Sequence, residues 1–191
     1  IHWDALIRVL RYLKTTIQTP FVLKASDDTP KDKAKITIIT DSDWAHDIVD
    51  RKSFSGCCVV IDGALVNWIT SKQPTVSTSS TEAEYISASD GCREGLYFRN
   101  LLTELLNVIL PITALVDNIE AGCIAQNVVN NSRTKHIDVK YHMIRDWIAK
   151  KVIDLSWVAS NDNIADIFTK ALAAPAHQGL TKRLLGGTPL P

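Results

Sequence analysis

No run of apolar residues in this 191-residue chain comes near the roughly 18 needed to span a bilayer, so it reads as soluble, with no membrane partner. Net charge is missing too: 21 Lys plus Arg offset 21 Asp plus Glu. Total charge therefore points to no polyanionic partner, and any basic surface must be local. No charged-then-apolar leader precedes a small-residue cleavage site, so nothing argues for secretion. The chain opens at Ile1 rather than Met and reads as a piece of something longer. The four cysteines, Cys57, Cys58, Cys92 and Cys123, show no C-x-x-C spacing. That disfavours zinc and fits reduced, packed thiols in an intracellular protein. Adjacent Cys57 and Cys58 would point to opposite faces of a strand. There is no internal repeat and no low-complexity segment, and 46% hydrophobic content suffices for one substantial core with an appendage.

What is present centres on residues 36–45, Ile-Thr-Ile-Ile-Thr-Asp-Ser-Asp-Trp-Ala. The β-branched run to Thr40 predicts a strand, and its unbroken apolarity predicts burial on both faces. It stops at Asp41 and Asp43, and a carboxylate there is costly unless something such as a metal ion compensates it.

Before this strand, Trp3, Leu6, Ile7, Leu10, Leu13 and Ile17 recur at helical spacing, which predicts an amphipathic helix over 1–17. A polar, proline-containing linker follows to residue 34. After it, Cys57–Ile61 and Leu65–Ile69 read as strands joined through the hairpin signal Asp62-Gly63. Ser77–Thr81 is N-cap material for a long helix carrying Tyr85, Ala88, Cys92 and Leu96. Ile112–Val116 is a fourth strand closed by Asp117-Asn118, and Glu120–Asn127 a short helix. Asn130–Thr134 is a loop, His136–Lys151 a helix and Asp154–Val158 a fifth strand. A last helix is expected over Asn163–Ala171, with a small terminal one over Ala174–Leu185. The order β-β-β-α-β-α-α-β-α predicts an α/β fold, a five-stranded mixed sheet flanked by helices. The expected divisions are 1–34, helix and linker; 35–172, the main domain; and 173–191, a C-terminal tail.

Three acids sit at element ends or starts: Asp41, Asp117 and Asp166. A fourth lies in the long helix, where Glu82 and Glu84 are two apart and cannot share a face. Glu84 is the better candidate, because Ala88 and Gly91 follow on its face and small residues let that face approach the sheet. Hard divalent cations take oxygen ligands of this kind, and two such ions about 4 Å apart can drive phosphodiester hydrolysis. Asp43 and Asp162 are secondary. Asp43 is i+2 from Asp41, and Asp162 reads first as an N-cap of the last helix. Between Asn130 and Lys151, six basic residues face two acids, a stripe suited to phosphates. His136 and His142 lie in it without cysteine partners, which argues against zinc.

Seven motifs occur in order: T-D-S-D-W-A (40–45), D-R-K-S-x-S-G (50–56), W-x-x-S-K-Q (68–73), S-S-T-E-A-E-Y (79–85), V-D-N (116–118), R-T-K-H-I-D-V-K-Y-H (133–142) and N-I-A-D-I-F-T-K (163–170). Together they closely resemble the ribonuclease H domain of copia-type retrotransposon Pol polyproteins. His2 to Lys14 resembles the stretch that joins that domain to a preceding reverse transcriptase. The resemblance implies a ribonuclease H fold and two-metal hydrolysis, with Mg²⁺ or alternatively Mn²⁺, of the RNA strand of an RNA/DNA hybrid. It implies metal-ligating, catalytic roles for Asp41, Glu84, Asp117 and Asp166. The expected partners are the hybrid and a covalently linked reverse transcriptase, in a cytoplasmic virus-like particle or the nucleus. Nucleic-acid contacts are expected from Ser79, Ser80, Thr81, Asn118, Arg133, Lys135 and His136.

The chain departs from the family pattern at Ile119-Glu120, at Asn127–Asn131 and at Cys57-Cys58. It also lacks a histidine in the loop Ala159–Asp162 before the last acid. An alternative therefore stands beside the nuclease: a catalytically decayed or domesticated module that keeps the fold for a structural or interaction role.

Overall fold

The β-branched run beginning at Ile36 forms β1, Ile36–Asp43, which is buried along almost its whole length. In the computed structural model, which describes residues 2–23, 30, 34–117, 135–185 and 190–191 and no side chains at 135–141, β1 is the middle strand of a mixed sheet. Its companions are β2 (Phe54–Ile61), β3 (Ala64–Lys72), β4 (Ile112–Val116) and β5 (Ile153–Trp157), in the order β3-β2-β1-β4-β5. β1 to β3 form the expected antiparallel meander. β4 lies parallel to β1, and β5 parallel to β4. At the Asp62-Gly63 turn both residues have positive φ, 47° and 85°, the handedness that matches strand twist.

Several strands outrun their apolar cores. β1 continues past Thr40 because Asp41, Ser42 and Asp43 pair with Gly56, Ser55 and Phe54. The ladder hydrogen bonds extend the strand where hydrophobicity has ended. β2 and β3 lengthen in the same register, out to Phe54↔Lys72. Asp41 consequently lies inside a strand rather than after it.

The helices are α1 (His2–Thr16), α2 (Ser80–Leu106), α3 (Lys135–Ala149) and α4 (Ala174–Leu185). On one face of the sheet, Ile36, Ile38, Cys57 and Val59 pack with Cys92 and Leu96 of α2 and Trp147 of α3. On the other, Ile39, Cys58, Val60 and Leu65 pack with Ile164, Ala165 and Leu184. Cys57 and Cys58 thus face opposite ways, as expected of strand neighbours. Both are free and buried, and burial pushes the Cys58 thiol up to about 12. α1 carries the expected amphipathic pattern and buries none of its described side chains. Among the described residues, no helix is long and apolar enough to cross a membrane.

The expected last helix over Asn163–Ala171 is corrected by the structure. The segment forms two short 3-10 turns, Ser160–Asp162 and Ile164–Phe168. Asn163 stands between them in an extended conformation, and its side chain accepts from the backbone N–H of Ala165. Asn163, not Asp162, is therefore the cap, and Asp162 is exposed in the first turn. The expected helix Glu120–Asn127 and loop Asn130–Thr134 lie outside the described residues.

Candidate active site

The parallel pairing of β1 with β4 sets Ile39 beside Leu115. Two residues further along each strand, Asp41 and Asp117 arrive level with one another. The end of β4 is fixed by β5: Val158 N–H donates to Val116 O at 2.9 Å, and the Trp157 indole N–H donates to Asp117 O at 3.1 Å. Asp166 reaches the same place from the second 3-10 turn. One carboxylate oxygen from each of Asp41, Asp117 and Asp166 lies within 4.8 Å of the others.

Glu84 arrives from α2. Small residues seat that helix: a Cβ on Gly91 would fall 2.6 Å from Thr40 Cγ2, and Ser87 Oγ donates to Asp41 O at 2.7 Å. Glu84, one turn before Ser87, accepts from Ser42 N–H at 3.1 Å and from Ser42 Oγ at 2.9 Å through Oε1. Its other oxygen, Oε2, is buried with no hydrogen-bond partner among the described residues. Glu82 is turned to another task. Its backbone N–H donates to the N-cap Ser79 Oγ at 3.1 Å, and its carboxylate accepts from Thr78 N–H at 2.7 Å. This arrangement closes the first turn of α2 in the manner of a capping box.

The third wall is the 160–170 segment. The buried Asn163 amide donates to Thr40 O at 3.0 Å, tying the segment to β1 one residue before Asp41. Gly56 pairs with Asp41 across the ladder, and a Cβ there would fall 2.6 Å from Thr169 Cγ2. The missing side chain lets Thr169 lie against the strand and donate its hydroxyl to Asp41 Oδ2. Lys170 follows, with its ammonium 2.7 Å from Asp166 Oδ1 and 3.1 Å from Asp41 Oδ1.

Burial dominates the electrostatics. It lifts the Asp41 carboxyl to about 6 against the Thr169 hydrogen bond and the Lys170 charge, which pull it down. Burial, with repulsion from Asp41 and Asp117, lifts Glu84 to about 8 despite the Ser42 hydrogen bonds. For Lys170, burial pulls the ammonium down, but the hydrogen bond to Asp166 and the Asp41 charge outweigh it and hold it above its ordinary value. Two of the carboxylates, Asp41 and Asp166, share the Lys170 ammonium, Asp117 lies beside them, and the buried Glu84 Oε2 has no partner among the described residues. An all-oxygen, anionic and half-buried donor set of this kind fits a hard divalent cation such as Mg²⁺.

The remaining candidates fare differently. Asp43 does not join the cluster; its carboxylate meets His46 Nδ1 at 2.8 Å. Ser79, Ser80 and Thr81 stand at the start of α2, with Ser79 used as its cap. Asn118 and Arg133 lie outside the described residues. Lys135 and His136 begin α3, and their side chains are outside the description.

No protein-family model matches the chain. It is 35% identical over 184 residues, 96% of its length, to a retrovirus-related Pol polyprotein from transposon RE2 of Arabidopsis thaliana. Over nearly its whole length the chain is thus similar to a segment of a plant retrotransposon Pol polyprotein. It spans only 12% of that relative. Among solved structures, the LC11 ribonuclease H1 in complex with an RNA/DNA hybrid matches with a TM-score of 0.51 at 16% identity, over 71% of this chain and 94% of that one. A foamy viral protease-reverse transcriptase in complex with an RNA/DNA hybrid matches with a TM-score of 0.52 at 15% identity, over 76% of this chain and 21% of that one. The fold of this chain is that of ribonuclease H.

Four residues at the acid cluster escaped sequence reasoning: Ser42, Asn163, Thr169 and Lys170. All lie inside the motifs quoted above, so their presence was visible and their partners were not. Lys170 carried one usable signal, its i+4 spacing from Asp166. Other motif residues turn out to be structural joints. Lys72 bridges Asp47 at 2.6 Å and Asp50 at 2.9 Å. Gln73, buried, donates to Ser55 Oγ and to Ala83 O, both at 2.9 Å.

Proposed function

We propose that this Pol segment is an endonuclease domain that hydrolyses the RNA strand of RNA/DNA hybrids during retrotransposon reverse transcription. It would work as a ribonuclease H beside a covalently linked reverse transcriptase, in a cytoplasmic virus-like particle or the nucleus. The observation that carries this reading is the convergence of Asp41, Asp117 and Asp166 within 4.8 Å, with Glu84 held against them. The fold, the Pol relatives and the hybrid-bound structural neighbours all support it.

Asp41, Glu84, Asp117 and Asp166 would hold two Mg²⁺ ions. When bound, such a pair activates a water and neutralises charge on the scissile phosphate and leaving oxygen. The chain's own contribution is placement. Ser42 fixes one oxygen of Glu84 and leaves the other free to ligate. Thr169 orients the Asp41 carboxylate, and Asn163 holds the segment carrying Asp166 against β1. Burial of Asp41 and Glu84 keeps bulk water from satisfying them, which strengthens their attraction for a cation. Ser79, Ser80, Thr81 and Asn118 are proposed to meet the 2′-hydroxyls and strand edges that distinguish RNA from DNA. Arg133, Lys135 and His136 are proposed to seat phosphates.

The test is Mg²⁺-dependent cleavage of an end-labelled RNA/DNA hybrid. Wild-type protein is expected to cut the RNA strand, and Asp41→Asn to lose cleavage while staying folded. A folded wild-type protein that does not cut would leave the decayed or domesticated module as the better description, a reading favoured by the departures at 119–131.

A further inference from the structure

We propose that Lys170 is a built-in counter-ion that stands in the cation position between Asp41 and Asp166 in the metal-free protein and is displaced when a divalent ion enters. The proposal rests on the metal-site reading above and adds a competitor to it.

Three observations carry it. The ammonium touches one oxygen of each acid, at 3.1 Å and 2.7 Å. The Asp41 side chain is 1% exposed and that of Asp166 19%, so water can do little to neutralise the pair in place of the lysine. Finally, Lys170 sits four residues after Asp166 on the same segment, so the segment that delivers the acid also delivers its counter-charge.

Exclusion follows from distance and charge. Divalent ions bind carboxylate oxygens at roughly 2.0–2.6 Å. An ion held by Asp41 and Asp166 would compete with Lys170, which now touches one oxygen of each, and would put a double positive charge against the ammonium in a half-buried space. Lysine suits the part, because its charge rides on a flexible four-carbon stem that can swing to solvent. The consequence is a site that is neutralised at rest and binds metal more weakly than its carboxylates alone would.

The experiment is calorimetric titration of Mg²⁺ into wild type, Lys170→Met and Lys170→Arg without substrate, with thermal melts in EDTA. Met keeps the aliphatic packing and removes the charge. Lys170→Met is expected to bind Mg²⁺ about tenfold more tightly, a change of about 1.4 kcal/mol, and to melt several degrees lower in EDTA. Lys170→Arg is expected to stay near wild type in both. In wild type, the NMR signal of the Lys170 ε-methylene should shift as Mg²⁺ saturates the site, a readout that does not depend on the variants folding. Equal or weaker Mg²⁺ binding by folded Lys170→Met, or a Lys170 signal indifferent to saturating Mg²⁺, overturns the counter-ion proposal alone. Wild type that binds no Mg²⁺ overturns the metal-site reading and this proposal together.

Discussion

Two segments bring an acid to the buried carboxylate of Asp41, and they are built on different principles. α2 is a regular 27-residue helix whose early turns are buried against the sheet. It approaches through small residues, Ser87, Ala88 and Gly91, and among the described residues it presents Glu84 with no cation beside it. The 160–170 segment is irregular, two short 3-10 turns joined through Asn163. It approaches through side-chain hydrogen bonds and presents Asp166 with Lys170 attached. Packing seats the helix of the first acid, Ser42 holds one of its oxygens, and no described cation compensates its charge. Hydrogen bonding fixes the second and compensates it. A site assembled this way has one rigid, proton-retaining wall and one wall with a movable counter-charge.

The largest expected effect tests whether both walls serve the chemistry. Glu84→Gln and Asp166→Asn should each lower the rate of hybrid cleavage by on the order of 10³-fold, several kcal/mol of lost charge stabilisation. Glu82→Gln should stay within about threefold of wild type. Cleavage lost in Glu82→Gln and kept in Glu84→Gln would break the assignment of the α2 wall.

Stability should separate the two means of attachment. Gly91→Val drives a side chain into Thr40 and Ile38 and should cost about 3 kcal/mol in urea denaturation, because the helix and sheet cannot both keep their places. Asn163→Ala removes two buried hydrogen bonds without creating a clash. It should cost about 2 kcal/mol and should weaken Mg²⁺ binding more than its stability loss suggests. A Gly91→Val protein as stable as wild type would show that α2 is not held by close packing.

The proton affinity of the buried acids offers a third, smaller contrast. Asp41 and Glu84 are raised to about 6 and about 8, so the folded state binds their protons more tightly than the unfolded state does. Their contribution to stability is full below the unfolded values. It is lost as pH rises through about 6 for Asp41 and about 8 for Glu84. In EDTA, the melting temperature should therefore fall by several degrees between about pH 5 and pH 8.5. The fall should be shallower in Glu84→Gln, and a flat profile in wild type would contradict the burial of these groups. The smallest effect belongs to Glu82→Ala, which loses the capping bond to Thr78 and should cost about 1 kcal/mol with cleavage intact.

Much of this arrangement was legible before any coordinates. β1, the Asp62-Gly63 hairpin, the position of α2 and β4 followed from periodicity and turn chemistry, because those signals are local. Asp41 and Asp117 stood out because each closes an apolar strand, and Asp166 because it falls in the expected last helix; the family resemblance is what joined the three into one site. The choice of Glu84 over Glu82 rested on Ala88 and Gly91, and the close approach of Gly91 to Thr40 bears out the reason given for it. The helix expected over Asn163–Ala171 failed, since a local pattern that suits a helix lost to the tertiary bond between Asn163 and Thr40 O. Lys170 and Thr169 were in view as motif letters but had no reason to be singled out, because their partner Asp41 lies 128 and 129 residues earlier.

The sequence by itself determined the order of the strands and the long helices, since propensity and periodicity act over a few residues, while its ordered motifs carried the resemblance that implied the ribonuclease H layout and the set of acids. Only the tertiary structure decided which cation stands among the carboxylates and how the last acid is carried. Those outcomes depend on strand register, on the room left by Gly56 and Gly91, and on burial that makes each unpaired charge costly. Such terms exist only once distant segments are packed together.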